Sequence, residues 1–403
     1  MNLHRWLRIC FFNLLLVATL GILLRYKIAF SLPFIVQKNV LHSHSHFAFT
    51  GWVTQTLLVL MVYYLQKQQL ANAFAKYKIL LFLNLFAGYG MLISFIMQGY
   101  GLFSISFSTL SIFTAFVFAY TYWKDLKKFH DTGIAHLWFK AALIFNVLSS
   151  LGAFTLAALM ILKLANQKLY LSAVYYFLHF QYNGWFFFAC MGLFLFQAKL
   201  PKTKISNNIF WLFSLACVPA FFLSILWAAI HPLLYWLVVL AAVAQMTAWI
   251  LFLKLLYKNI FLIKNNFIRY SHWLLALSCI ACSIKITLQL FSVIPFLSTL
   301  AFSFRPIVIG YLHLVLLGVI TLFLLGYIFS LQIIKIKKLT SAGMAIFVGG
   351  IFLNELLLMI QGVGAISNAM IPFLNESLLV AALVLFIGML VLNFSLKKQE
   401  PIL

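Results

Sequence analysis

Acid is what this chain has least of. Five Asp and Glu stand against 28 Lys and Arg in 403 residues, and only 8% of positions are charged at all. An ordinary soluble domain is about half apolar and about a quarter charged. Here 65% of residues are hydrophobic and the mean hydropathy is +1.07, so too little polar surface exists to cover a water-soluble globule of this size. Disorder is excluded as well, because it needs low hydrophobicity together with high net charge. Strict alternation of apolar and polar residues is missing, which excludes an outer-membrane barrel. A long central loop, a low-complexity tract and an evident internal repeat are also missing, as are nucleotide-binding motifs and Ser/His/Asp arrangements. Cysteine is sparse: Cys10, Cys190, Cys217, Cys279 and Cys282 all lie in apolar runs. The C-x-x-C spacing of Cys279 and Cys282 has no partner pair nearby, so these read as small packing residues. What remains is an all-α polytopic membrane protein, read as a single membrane domain over residues 1–403 with the lipid bilayer as its partner.

Twelve stretches are long enough to span a bilayer, each about 20 residues. They cover 9–25, 41–65, 78–98, 102–122, 138–162, 171–196, 209–230, 233–256, 270–292, 307–332, 342–362 and 375–395. Arg5 and Arg8 precede the first. Its apolar run of about 17 residues is long for a signal-peptide core and no A-x-A-like site follows, so it reads as a retained first span. His231-Pro232 separates the seventh from the eighth, and Lys285 interrupts the ninth.

The basic residues orient the bundle. With the N-terminus in the cytoplasm, twenty-one of the 28 fall on the cytoplasmic side and six (Arg25, Lys27, Lys38, Lys163, Lys168 and Arg305) on the other. That bias places both termini inside. It also accounts for most of the +23 net charge without nucleic acid or another acidic partner.

Ten histidines are present. His4, His130, His136 and His272 fall in cytoplasmic segments or at a cytoplasmic helix end and read as interfacial polar residues, while His231 lies in a loop. The others lie within spans. His42, His44 and His46 open the second in Leu41-His42-Ser43-His44-Ser45-His46-Phe47; His179 lies in the sixth, followed by Phe180-Gln181-Tyr182-Asn183-Gly184-Trp185; His313 lies in the tenth, after Arg305-Pro306 and Gly310-Tyr311-Leu312. His46, His179 and His313 each come within about two turns of the outer helix start, which puts them at one depth. Ionisable groups at that depth are costly and usually face the bundle interior or a cavity. Neutral imidazole is the commonest metal ligand, so these three are candidate ligands of a metal or haem iron. Two imidazoles clamping a haem make a low-spin iron suited to electron transfer. The bland alternative is that each histidine hydrogen-bonds within its own polar or aromatic neighbourhood.

Twelve spans with both ends inside, and histidines near the outer ends of spans 2, 6 and 10, resemble the catalytic subunit of haem–copper oxidases and nitric oxide reductases. The run His44-Ser45-His46-Phe47-Ala48-Phe49-Thr50-Gly51-Trp52 is similar to H-x-H-x-x-x-x-G-W segments in short bacterial proteins related to that subunit. The resemblance implies the cytoplasmic (inner) membrane of a bacterium, a low-spin haem b held between spans 2 and 10 by His46 and His313, and a redox partner protein. On span 2, His46 is the first choice, sharing a face with His42, and His44 the second. Arg305 stands where it could neutralise haem propionates.

Several family positions are replaced. Tyr311-Leu312-His313 stands where the family has H-x-H, so Tyr311 takes the place of the high-spin ligand; tyrosine can ligate ferric haem. The seventh span has no histidine, and on the sixth His179-Phe180-Gln181 replaces H-P-E, with Asn183 where a tyrosine is expected. A three-histidine copper site cannot be assembled, which implies no dioxygen-reducing binuclear centre of the usual kind. An altered enzyme centre using His179, His231 and Tyr311 is a second reading, and a twelve-helix secondary transporter without haem a third.

Two further residues sit within the apolar spans. Lys285 and Glu355 both fall in the outer half and are candidates to pair, as part of a proton or ligand path or as a lock between helices. Gln55, Gln181, Tyr182 and Asn183 are candidate lining residues near the histidines, and Glu376 starts the last span.

Overall fold

The structure is a computed structural model that describes residues 2–70, 72–129, 133–164, 166–228 and 230–399, with the side chain of Ala301 left aside. His130 lies outside the described residues. The chain is an all-helical polytopic bundle, and no β-strand forms among the described residues. Among the described residues twelve long helices follow in order: α1 Leu3–Ala29, α2 Gln37–Lys67, α3 Ala73–Gln98, α4 Leu102–Leu126, α5 Ile134–Ile161, α6 at 167–197, α7 Lys204–Ala228, α8 Pro232–Lys258, α9 Arg269–Phe291, α10 Arg305–Ser330, α11 Lys338–Ile366 and α12 Leu374–Ser395. Eleven of them are long and apolar enough to cross a membrane. The exception is α6, a continuous helix whose His179-Phe180-Gln181-Tyr182-Asn183 run lowers its hydropathy. Two short helices, Ile260–Asn266 and Pro295–Ser303, add to the twelve expected segments.

Local chemistry sets the helix ends. The Asn2 side chain accepts the Arg5 N–H at 3.2 Å to start α1. Thr203 and Ser206 form a reciprocal capping box at α7. Pro232 opens α8, where its missing N–H costs nothing, and the His231 side chain caps the helix by accepting the Leu233 N–H at 3.3 Å. Large apolar side chains such as Ile79, Phe86, Leu237, Leu240 and Met359 are exposed, as expected of a protein whose solvent is lipid. This is a multi-pass membrane protein in contact with the bilayer.

The chain divides into two compact units, Met1–Phe118 with Leu331–Leu403, and Ala119–Ser330. In the first, α1 packs on α2 and α12, α2 on α3, and α11 on α12. The last pair is close because it is glycine-lined. A Cβ on Gly343 would stand 2.8 Å from the Leu392 nitrogen, and one on Gly388 would meet the Phe347 backbone. Small residues bring membrane helices into direct backbone contact, where dispersion replaces the absent hydrophobic drive. In the second unit α5 packs on α6, α7 on α8, and α9 on α8 and α10.

The span α7 tightens away from the regular helix that its apolar run predicts. From Pro219 to Ala228, α7 continues as a 3-10 helix, with Ile225 at φ −130° and ψ 19°. Pro219 cannot donate to the ladder. The Phe221 N–H turns back to the Val218 carbonyl at 3.2 Å. It therefore does not reach the Cys217 carbonyl, its partner in an α-helix.

Candidate functional site

Three of the twelve helices contain a π-helical stretch, and each begins just after a histidine. In α2 the stretch is Ala48–Thr54, after His46 and Phe47; in α6 it is Phe180–Phe186, after His179; in α10 it is Leu314–Thr321, after His313. π-segments are rare and concentrate at functional sites. Every one carries a glycine five residues after its histidine: Gly51, Gly184 and Gly318. In two of the three the next residue is tryptophan, giving His46-Phe47-x-x-x-Gly51-Trp52 and His179-Phe180-x-x-x-Gly184-Trp185. The three histidines recur at intervals of about a third of the chain, so the helices fall in order into three sets of four (α1–α4, α5–α8, α9–α12), each with the π-containing helix second. The expectation of no internal repeat is thereby corrected. Its signal was the repeated His-Phe and Gly-Trp pairs at one spacing.

A π-turn shifts the backbone ladder and leaves polar groups for neighbours to satisfy, which within a membrane they must do. In two of the three the preceding helix supplies the partner. Asn13 of α1 donates its Nδ2 to the Gly51 carbonyl at 2.5 Å, and its Oδ1 accepts from the Tyr89 hydroxyl at 2.6 Å. Ser278 of α9 donates to the Val319 carbonyl at 2.7 Å. Between α5 and α6 the bonds join side chains: Gln181 donates its Nε2 to Asn146 Oδ1 at 3.1 Å and to Ser149 Oγ at 2.8 Å. Gln55 lies just past the α2 segment, fully buried, where its Oε1 accepts from Asn84 at 2.8 Å.

On α2, His42 and His46 face the same rings. His46 stacks on Phe95 with centroids 4.5 Å apart, and its Nε2 lies 3.2 Å from the Tyr100 hydroxyl. His42 meets Tyr100 edge-on at 4.6 Å. His44 turns toward α1, where a Cβ on Gly21 would lie 3.8 Å from its Cε1.

In the second unit, His179 is buried and both ring nitrogens are engaged. Nε2 is 2.8 Å from the Cys217 carbonyl, the acceptor released by the break at Pro219; Nδ1 is 3.1 Å from Asn183 Nδ2. A carbonyl only accepts and an amide NH2 only donates, so the proton sits on Nε2. His179 thus holds the kink of α7. His313 has the opposite tautomer: its Nδ1 donates to the Ile309 carbonyl at 2.8 Å, so the acceptor nitrogen of the ring is Nε2. Tyr311 meets Tyr182 edge-on at 6.2 Å. Arg305 and His231 are exposed at helix starts.

Lys285 belongs to the second unit and Glu355 to the first. The Lys285 Nζ lies 5.7 Å above the Phe187 ring, and Glu355 Oε1 accepts from Asn354 at 3.3 Å. Among the described residues no group of three or more His, Cys, Asp or Glu is disposed to hold a metal ion.

The sequence matches no protein-family model and no curated protein.

Proposed function

We propose that this chain is a haem-binding membrane protein of electron transfer or of haem- or nitric-oxide-related binding. In plan it resembles the haem–copper oxidase catalytic subunit without that family's copper site, and it resides in the cytoplasmic membrane of a bacterium. The observation that carries the proposal is the tautomer of His313. A histidine that ligates iron through Nε2 usually donates its other ring N–H to a carbonyl or carboxylate, which fixes the ring and raises its basicity. The 2.8 Å bond from Nδ1 to Ile309 does this. His179 does not fit a ligand role, because both its nitrogens are committed.

His46 and His44 are the residues to test for the other axial position. His46 Nε2 is engaged with the Tyr100 hydroxyl, so ligation there requires Tyr100 to turn aside. A bound haem b would supply a reversible one-electron couple. The chain's own part is to present imidazole lone pairs in a site sheltered from water and to fix their tautomers. Tyr311, edge-on to Tyr182, is the residue beside His313 that would face such a group, and a redox partner protein would donate or accept the electron.

A second reading, a secondary transporter without haem, is favoured by two specific observations: the repeated four-helix order, and the interruptions of α2, α6, α7 and α10. Repeats and broken helices are the marks of that class. A reduced-minus-oxidised optical spectrum of protein purified from haem-supplied cells separates the two. A low-spin haem b signal is expected. Protein that stays colourless overturns the haem proposal in favour of transport, and carbon monoxide binding to the reduced form would instead indicate an altered enzyme centre.

A further inference from the structure

A trough runs along the lipid-facing side of α7 and α8 in the second unit. It holds about 450 Å3 and is lined from Asn208 to Pro219 on one helix and from Leu237 to Ala244 on the other. Ala216, Ala241 and Ala244 form its floor, and the walls include Leu215, Leu237 and Leu240, which are largely exposed. Short side chains below long ones leave the space open. From Asn208 to Pro219 the helix rises about 16 Å, so the trough is about 28 Å2 in cross-section. A helix about 10 Å across needs roughly 80 Å2. The trough is too narrow for one, and it has the girth of a single extended hydrocarbon chain.

One end of the trough lies among cations. Only three residues separate Ala228 from Pro232, so levels along the α7–α8 pair follow from distance to that connection. Asn208 lies about 35 Å from it, counting the 3-10 stretch at its longer rise. Lys204 stands four residues earlier on the same face, at about 40 Å. Lys258 stands eighteen residues after Leu240, five full turns along the same line of α8, and also at about 40 Å. Both lysines are exposed. No Asp or Glu occurs from residue 132 to residue 354, so α5 to α10 supply them no carboxylate.

We infer that the trough seats one acyl chain of an anionic phospholipid, whose phosphate lies between Lys204 and Lys258. The alanine floor and leucine walls take the chain by the same dispersion that packs membrane helices together. The Asn208 carboxamide, one turn below the lysines, offers a donor at the level of the glycerol esters. Basic sites between membrane helices recognise anionic headgroups in this way. The inference is independent of haem, because every residue it uses lies on α7 or α8.

The test is native mass spectrometry of the purified full chain, titrated with dioleoylphosphatidylglycerol and with dioleoylphosphatidylcholine. The two lipids share their acyl chains and differ in net charge. Wild type should bind its first phosphatidylglycerol at least tenfold more tightly than its first phosphatidylcholine. Lys204→Gln combined with Lys258→Gln should bring that ratio to within twofold. Lys127→Gln combined with Lys264→Gln, at other exposed lysines of the same unit, should preserve it. Ala244→Phe fills the trough and should weaken the first binding step of both lipids tenfold or more. If Ala244→Phe does not fold, the two lysine pairs, which alter exposed side chains, still decide the matter. Equal loss of preference in the control pair would mean diffuse attraction to the basic end and would overturn the assignment. So would the absence of a preference in wild type, or unchanged affinities in Ala244→Phe. A dimer that Ala244→Phe dissociates would give the trough to a second copy of the chain and overturn it as well.

Discussion

The Nε2–H of His179 donates to the carbonyl of Cys217 at 2.8 Å, an acceptor left open because the Phe221 N–H turns to the Val218 carbonyl instead. One histidine thus satisfies an acceptor opened where α7 tightens to a 3-10 helix, about forty residues away in the chain. His179→Leu should cost about 1–3 kcal/mol, since it leaves a buried carbonyl and the Asn183 amide without partners. The loss would be read as a lower thermal midpoint in detergent. With both ring nitrogens of His179 engaged within the second unit, any haem spectrum should persist in this variant; loss of the spectrum in folded protein would return His179 to the candidate ligands.

The π-segments should depend on their neighbours unequally. Ser278→Ala and Asn13→Leu each strand a backbone carbonyl, of Val319 and Gly51 respectively. Side-chain hydrogen bonds between membrane helices are worth about 1 kcal/mol. Asn13→Leu should cost more than Ser278→Ala, because it also strands the Tyr89 hydroxyl. Denaturation midpoints of the two variants check the order.

Glycine is needed at Gly388 and not at Gly349. A Cβ on Gly388 would collide with the Phe347 backbone, whereas nothing lies within 4 Å of one on Gly349. Gly388→Val should cost at least about 1–3 kcal/mol by overpacking, and Gly349→Ala should leave the thermal midpoint unchanged or raise it slightly. Equal effects would mean that α11 and α12 are not in backbone contact.

Outside the spans, the segment after α10 pairs with the chain beyond α12: Lys335 N–H donates to the Lys397 carbonyl, and Gln399 N–H to the Ile333 carbonyl, both at 2.9 Å. The pairing crowds lysines. Lys337 is held below the usual lysine value, chiefly by the charge of Lys397, with lost hydration and Lys335 adding to it. A base depressed in the folded state destabilises it fully below the depressed value, and the penalty is relieved as pH rises from there to the ordinary lysine value. Lys337 should therefore titrate earlier than other surface lysines in NMR of methyl-labelled protein. Lys397→Gln should move it back up, and titration of Lys337 with the bulk in both proteins would contradict the crowding.

Helix existence was legible because continuous apolar runs permit little else in lipid. The break in α7 was not, since Pro219 is flanked by apolar residues and hydropathy is blind to residues per turn. The same blindness hid the π-segments, although His46-Phe47…Gly51-Trp52 and His179-Phe180…Gly184-Trp185 were visible as a pair. The histidines stood out from the sequence, but their chemistry did not. Position on a helix says nothing of which ring nitrogen carries the proton, and that distinguishes His313 from His179.

Ligation of haem iron by His313 Nε2, as proposed, is tested most directly by removing the ring. His313→Gly opens a cavity in place of the ligand, and free imidazole can enter it. The low-spin haem band should disappear in His313→Gly and return when imidazole is added. A His313→Gly protein whose spectrum is unchanged before imidazole is added would show that His313 is not an iron ligand.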